Sequence, residues 1–573
     1  MAAARVPAPG SPAPRERRVE LRAHGEPQRF AMAGALALGL ALIAGFLLLV
    51  LWNGLATFWP RPLVLLELRD GSRLAGEPVR SEAFTPSEAQ LAALPPPRRA
   101  ELAASGGRAS RTLYRVGNFD LYGEDFRWVD DASVASRAEP SDLWLFERIE
   151  WGPFVGRIAR VALGGEALEG AALPLERLRE AHADARARFA EIRRIERGEI
   201  GAVNRRIEQR RLALRRVALE SGEGSDAYRE AAAEAEVAVA ALEREHVALA
   251  ERAAALRRAD EAVRVTLADV NGREKELPLS GVTRLYPANA LGLLGKLRVY
   301  ASRWAEFLTE DPREANTEGG VLPAIFGTAA MTLLLVVFVT PLGVVTALYL
   351  REYARQGRLV SVVRISVNNL AGVPSIVYGV FGLGFFAYTI GARIDQLFYP
   401  ERLPSPTFGT GGLLWASLTL ALLTVPVVVV ATEEALAAVP RSVREGSLAC
   451  GASKWQTIRR VVLPQAMPGI MTGLILAMAR GAGEVAPLML VGVVKLAPEL
   501  PIDGQFPFLH LERSFMHLGF HIYDVGFQSR NSEAGKPMVF VTTLLLIALI
   551  FAMNATAIGI RARLKRRFAG SQF

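Results

Sequence analysis

The sequence predicts a mainly α, polytopic membrane protein that carries a large polar insertion built from β segments and a helical hairpin. Three observations predict it. The 573 residues are 51% hydrophobic with a mean hydropathy of +0.22, and the apolar residues gather into charge-free runs of about 20 residues or more, the length that crosses a bilayer as a helix. Residues 61–320, between the first and second of these runs, hold 40 Lys/Arg against 43 Asp/Glu, net −3. The rest of the chain holds 27 basic and 15 acidic residues, so the overall +9 sits in tails and short loops beside apolar runs. There it sets topology and gives no reason to expect nucleic acid as a partner.

Residues 1–30 are rich in Pro, Ala and Arg and read as a disordered cytoplasmic tail. Residues 31–52 carry no charge. The run is longer than the apolar region of a secretory signal and no clear small-x-small site follows Trp52, so it reads as an uncleaved first transmembrane helix. The one cysteine, Cys450, cannot form an intrachain disulfide and is expected to be a small packing residue.

The insertion has two textures. Short alternating stretches with aromatics (Tyr114, Phe119, Trp144, Phe146, Trp151) place β segments in 62–170, and a further β segment, 262–290, reads as two strands around Asn271-Gly272, a favoured hairpin turn. Residues 175–260 have helix composition. Ala235, Val239, Leu242, His246, Leu249, Ala253 and Leu256 keep heptad spacing, as do Ile200, Val203, Ile207, Arg210, Leu214 and Val217, with Ser221-Gly222-Glu223-Gly224-Ser225 breaking the two runs. An antiparallel coiled-coil hairpin over 175–260 would bring its ends together and let the flanking strands form one β domain. His246 on the seam reads as a packed histidine, because no second His or Cys has ligand spacing.

Five further spans are expected at 320–350, 365–392, 411–432, 468–494 and 537–560, within a core of residues 320–560. Six spans put both termini on one side. Arg351, Arg355, Arg358 and Arg364, then Arg441, Arg444, Lys454, Arg459 and Arg460, and finally the basic tail 561–573 make that side cytoplasmic, so residues 61–320 are expected to be extracytoplasmic.

The chemistry is defined first by what is missing. Gly295-Lys296 and Gly535-Lys536 lack the other elements of a phosphate loop, and there is no Gly-x-Ser-x-Gly elbow or His-Glu-x-x-His pair, so the chain is not expected to be an enzyme or to hydrolyse ATP itself. The informative loop is 433–464. It contains Arg444 and Glu445, the small residues Gly446 and Ser447, Gly451 four positions on, and Val461-Val462-Leu463-Pro464. A short helix with small residues packs into a groove, and Gly451 permits a sharp turn into the next helix; an ordinary interfacial amphipathic helix would share the local pattern. Arg444, Glu445 and Lys454 are expected to orient this helix on a partner.

Arg480 falls near the middle of the expected span 468–494, where a charge costs at least about 2.5 to 3.5 kcal/mol. Glu484 lies one turn further on the same face. The pair reads either as an ion lock between helices or as a positive waypoint whose forked donor suits an oxyanion. Gly372, Pro374 and Ser375 either interrupt the span 365–392 to line a pathway or allow close helix packing.

The loop 433–464 resembles the cytoplasmic coupling motif of ABC importer permeases. Leu370-Ala371-Gly372-Val373-Pro374-Ser375, Gly469-Ile470-Met471-Thr472-Gly473 and Ala479-Arg480-Gly481-Ala482-Gly483-Glu484 resemble the phosphate-specific PstA permease family over residues 320–560. The resemblance implies a MetI-like helical core in the bacterial inner membrane, transporting inorganic phosphate and coupled through Arg444, Glu445, Gly446, Ser447, Gly451, Leu463 and Pro464 to a separate ATPase. It also implies Arg480 and Glu484 on the substrate pathway. The implied partners are a second homologous permease, two ATPase subunits, an extracytoplasmic phosphate-binding protein and membrane lipid, with ATP and Mg used by the ATPase and no cofactor bound by this chain. A permease for sulfate, molybdate or phosphonate would share the architecture. An envelope scaffold or sensor acting through the insertion is the alternative of a different class.

Overall fold

The computed structural model describes residues 27–87, 99, 107–164, 166–169, 174–497, 499–504, 506, 508–529 and 532–569. Most of the expected N-terminal tail, residues 1–26, and the end of the basic C-terminal tail, 570–573, lie outside the described residues. The chain divides into two units, Met1–Trp52 and Asn53–Phe573. Helix α1 (Pro27–Ala56) accounts through Trp52 for the described part of the first unit, and its last turn belongs to the second. It opens four residues before the expected span and is apolar on every side beyond Arg29, a pattern suited to lipid. Its 30 residues reach about 45 Å at 1.5 Å per residue.

The second unit opens with two antiparallel sheets. Strands β1 (Val64–Leu68), β2 (Arg73–Phe84), β3 (Ala109–Arg115), β4 (Phe126–Asp130) and β5 (Val134–Ala138) pair in the order β4-β3-β2-β1-β5. Strands β6 (Trp144–Arg148), β7 (Phe154–Leu163) and β8 (Glu166–Glu169) are followed by the helical segment, then by β9 (Val263–Ala268), β10 (Glu274–Pro278) and β11 (Val282–Pro287). The second sheet runs β10-β9-β7-β6-β11, with β8 on β7. Strands from either side of the helical segment therefore pair directly, Val161 opposite Val265 and Phe146 opposite Leu285. Asn271 and Gly272 turn the β9–β10 hairpin, with Gly272 at φ 84°. The segment 262–290 holds three strands and not the expected two, because the turn at Leu279–Gly281 sends β11 across to β6.

Helix α2 (Leu175–Arg193) passes through a π-helical stretch (Arg194–Glu199) into α3 (Ile200–Ser221), and α4 (Asp226–Glu261) returns. Ser225 caps α4 by accepting from the Tyr228 N–H at 3.1 Å. All seven heptad positions of α4, His246 included, are buried or half-buried. Arg206–Glu245 (3.0 Å), Arg252–Glu191 (2.5 Å) and Arg257–Glu196 fix the antiparallel register. Exposed pairs of this kind add little stability, and the hairpin is held at its base by Leu178 and Ala185, which join Phe146, Phe154, Val265 and Leu267 in the core of the second sheet. Further out, Arg205 reaches Glu499 at 2.8 Å and Arg216 reaches Glu401 at 2.5 Å, so α3 lies along the connecting segments of the membrane core.

Helix α5 (Leu293–Thr309) joins the β domain to that core. Its Arg303 and Glu306 face inward, where Glu147 of β6 accepts from Arg303 (2.5 Å) and pairs with Arg284 of β11, while Glu306 accepts from Arg284 (2.7 Å) and pairs with Arg313. Burial pushes the Glu147 carboxyl up, but Arg303 and Arg284 outweigh it and hold it at about 2.

Five long apolar helical segments follow, giving six among the described residues. Helix α6 (Leu322–Leu348) continues to Tyr353. Helix α7 (Arg358–Leu370) stands apart from α8 (Ser375–Phe381), whose π-helical continuation runs to Phe398. The third span is thus Ser375–Phe398 and not 365–392: Pro374 cannot continue a helix from α7, and Arg358 and Arg364 keep α7 amphipathic. Helix α9 (Leu413–Ala438) is the most enclosed span; α6 and α11 (Leu463–Gly483) pack on it. Gly469 and Gly473 let α11 approach closely, since a Cβ at either would stand 2.5 Å from the Cβ of Ala435 or Ala431. The fifth span begins at Lys454 and ends at Gly483, well before the expected 494. The last helix (Ser532–Ala569) runs on through most of the basic tail.

Candidate functional site

Two helix breaks frame the site, and the helix that begins at one, α8, packs against the other. One is the turn Ala371-Gly372-Val373 between α7 and α8, with the Gly372 N–H donating to the Asn369 carbonyl at 3.0 Å. The other follows Gly483, where Glu484 adopts extended backbone and Pro487 opens a short turn, Leu488–Val491. Gly379 of α8 lies against the second break, and a Cβ there would be 2.7 Å from Pro487 Cα. Tyr378, next to it, is buried and donates to the Leu370 carbonyl at 2.6 Å, tying α8 back across the first break. Glycine at 379 is therefore required by close approach, whereas Gly372 and Pro374 are exposed and Ser375 opens α8 half-buried. Close helix packing is supplied by Gly379, four residues beyond the motif that ends at Ser375.

Arg480 stands in the last turn of α11 and not mid-span. Its Nε lies 3.5 Å from Glu484 Oε1, with the two side chains 39% and 22% exposed. Position and charge suit the negative end of the helix dipole, and the open geometry leaves much of the guanidinium fork free to meet an anion. The expected i,i+4 pair is present, but its setting is the edge of a helix break, because Pro487 and the glycines at 481 and 483 end the helix early.

The second group of residues lies where α9 turns into α11. Pro440 follows α9, and α10 (Arg441–Ala449) is a short amphipathic helix. Gly451 sits at φ 84° with no atom near its missing Cβ, so the backbone angle alone demands glycine. Ser453 and Gln456 then form a capping box, and a π-helical stretch (Ile458–Val462) leads into Leu463 and Pro464 at the start of α11.

Arg444 donates to the carbonyls of Leu436 and Val439, both at 2.6 Å, and pairs with Glu352 at 3.1 Å. Lys454 donates to the Glu352 carbonyl and sits over the Tyr353 ring. Arg444 is thus turned inward and pins α10 to the ends of α9 and α6, while Lys454, in the helical turn after Gly451, reaches the end of α6 and stays exposed. Glu445, Gly446 and Cys450 are exposed, so Cys450 does not pack inside the chain. Ser447 is half-buried and shares a hydrogen bond with Thr457 at 2.9 Å. Leu448 and Trp455 present outward apolar surface; sequence reasoning passed over both, although apolar residues on a charged amphipathic helix were the available signal. No group of three or more His, Cys, Asp or Glu arranged to hold a metal occurs among the described residues.

The profile of the binding-protein-dependent transport system inner membrane component family matches residues 339–568, which include both breaks and α10. The phosphate transport system permease protein PstA of Mycobacterium leprae is 36% identical over 254 residues, 44% of this chain and 74% of that protein. The probable ABC transporter permease protein YqgH of Bacillus subtilis is 37% identical over 204 residues (35% and 62%), and PstA 1 of Mycobacterium tuberculosis strain CDC 1551 / Oshkosh is 43% identical over 175 residues (30% and 52%). The matched stretches thus span between half and two thirds of these last two relatives. Among solved structures, an inward-facing MetNI methionine ABC transporter chain is 20% identical, covering 43% of this chain and 95% of that one at TM-score 0.32. With 74% of a PstA permease covered at 36% identity, this chain belongs to the PstA-type permeases of the binding-protein-dependent transport family.

Proposed function

We propose that the chain is a permease subunit of an ATP-driven importer of inorganic phosphate in the bacterial inner membrane. The observation that carries this is Arg480, a partly open guanidinium held by Glu484 at the edge of a helix break that packs against α8. Such breaks free backbone groups where they line a pathway, and a forked donor matches phosphate oxygens. Both termini are cytoplasmic and residues 61–320 extracytoplasmic. Helix α10, held from behind by Arg444, offers Glu445, Gly446 and Leu448 to the ATPase, and the turn that follows it offers Trp455, so that ATPase closure rocks α9 and α11 together. A second homologous permease, two ATPase subunits using ATP and Mg, and an external phosphate-binding protein complete the assembly.

The test is Arg480→Gln in the assembled transporter. Loss of phosphate uptake and of phosphate-stimulated ATP turnover, with subunits still co-purifying, is expected. Wild-type uptake would refute the assignment, failure to assemble would make Arg480 an ion lock, and sulfate or molybdate stimulating turnover in place of phosphate would select another oxyanion.

A further inference from the structure

Helix α5 is apolar on two faces: one packs Val299, Trp304 and Phe307 into the protein and the other is open. Its buried face holds Arg303 and Glu306 in the ion-pair network with Glu147, Arg284 and Arg313. Its outward face carries Leu293, Leu294, Leu297, Ala301, Ala305 and Leu308, spaced as one helical stripe, with Leu293 69% and Leu294 82% exposed. Lys296 and Arg298 flank the stripe, and the one carboxylate of the helix is the buried Glu306.

Two independent contacts fix the level of α5. At its C-terminal end the Val321 N–H donates to the Phe307 carbonyl at 2.8 Å, and Leu322 starts α6. Along its middle, Tyr300 donates to the carbonyl of Leu55 in the last turn of α1 (3.1 Å), Trp59 packs edge-on to Tyr300, and Phe58 meets Trp304 and Phe307. The helix thus lies where the first span ends and the second begins, among Trp and Tyr side chains of the kind that collect at a membrane surface.

We infer that α5 is an interfacial helix, its leucine stripe seated in the headgroup–acyl boundary of the leaflet where α1 ends, with Lys296 and Arg298 facing anionic headgroups. Calling that leaflet the outer one rests on the topology proposed above; the seating itself does not. Through the Glu147–Arg303 network the same helix grips the β domain, so the insertion is laid on the membrane surface and not tethered above it.

The complex, carrying Cys450→Ser and Leu294→Cys with a nitroxide at residue 294, is reconstituted in phosphatidylethanolamine–phosphatidylglycerol vesicles. Glu223→Cys, in the exposed turn of the hairpin, serves as the aqueous reference. Collision with oxygen and with a water-soluble nickel chelate is measured at each site. High oxygen and low nickel accessibility at 294, at a depth of roughly 5 to 10 Å, is expected. Nickel accessibility equal to that at 223 would overturn the inference, as would shielding from both reagents, which would assign the stripe to a protein partner. Ala301→Cys repeats the measurement on the same stripe should the label at 294 disturb the fold. Lysine at 293, 294 and 297 together is expected to raise nickel access at 301, and no change there would also count against lipid seating.

Discussion

Replacing Glu147 with Gln removes one charge from a largely enclosed ion network of the β domain. Its carboxylate takes a 2.5 Å hydrogen bond from Arg303 and pairs with Arg284, and its side chain is 15% exposed. Folding lowers its carboxyl from 4.5 to about 2, a shift worth about 3 kcal/mol at 1.36 kcal/mol per unit. Because the folded-state value is depressed, the stabilisation is complete above pH 4.5 and is lost as pH falls toward 2. Wild type is expected to exceed Glu147→Gln by about 3 kcal/mol at pH 7 and by roughly half as much at pH 3. Pulse proteolysis of the insertion in the purified complex, scanned from pH 7 to pH 3, reads the difference directly. A gap below about 1 kcal/mol at pH 7, or one that widens on acidification, would refute the reasoning. Glu147→Leu with Arg303→Met should recover much of the loss, since a buried pair replaced by apolar groups is often neutral while a broken one is costly.

Gly451→Val forces a β-branched residue to φ 84° and is expected to cost roughly 1 to 2 kcal/mol of local strain, read as ATP turnover that no longer responds to phosphate; normal stimulation would exclude this turn from coupling. Arg444→Met leaves Glu352 and two carbonyls without their donor, roughly 3 kcal/mol. ATPase co-purification should fall even though Arg444 is turned inward, and unchanged binding would separate α10 placement from docking. Deleting residues 200–250 with a Gly-Ser bridge is expected to keep the β domain protease-resistant, whereas deleting 175–260 should expose it, because Leu178 and Ala185 belong to its core. Equal resistance of the two deletions would contradict that packing.

The spans, the hairpin and the cross-hairpin sheet were legible because composition and period carry them: charge-free length for helices in lipid, heptad spacing for the hairpin, Asn271-Gly272 for the turn. Span ends were not. The third and fifth were misplaced where Pro374 and Pro487 follow apolar residues that could have continued either helix, and the breaks moved Arg480 from mid-span to a helix end. The direction of Arg444 was illegible because its acceptors, the Leu436 and Val439 carbonyls, become available only where α9 stops. Helix α5 was not legible because Arg303 and Glu306, which read as surface, face inward beside Val299 and Phe307, while its leucines, which read as core, point outward.

The pairing of β7 with β9 has a kinetic consequence. Closing the second sheet through a flexible chain would mean a loop of roughly 100 residues, but α2, α3 and α4 can form first, around the four-residue turn Gly222–Ser225. Once folded, the hairpin delivers Val263 close to Leu163, leaving a loop of about a dozen residues to close and reducing the closure entropy by about 2 kcal/mol. Helix and local-turn formation are also the faster events. The hairpin is therefore expected to set the order of assembly, with sheet closure waiting for α4; pulsed hydrogen exchange that finds β7 and β9 protected before α4 would contradict it.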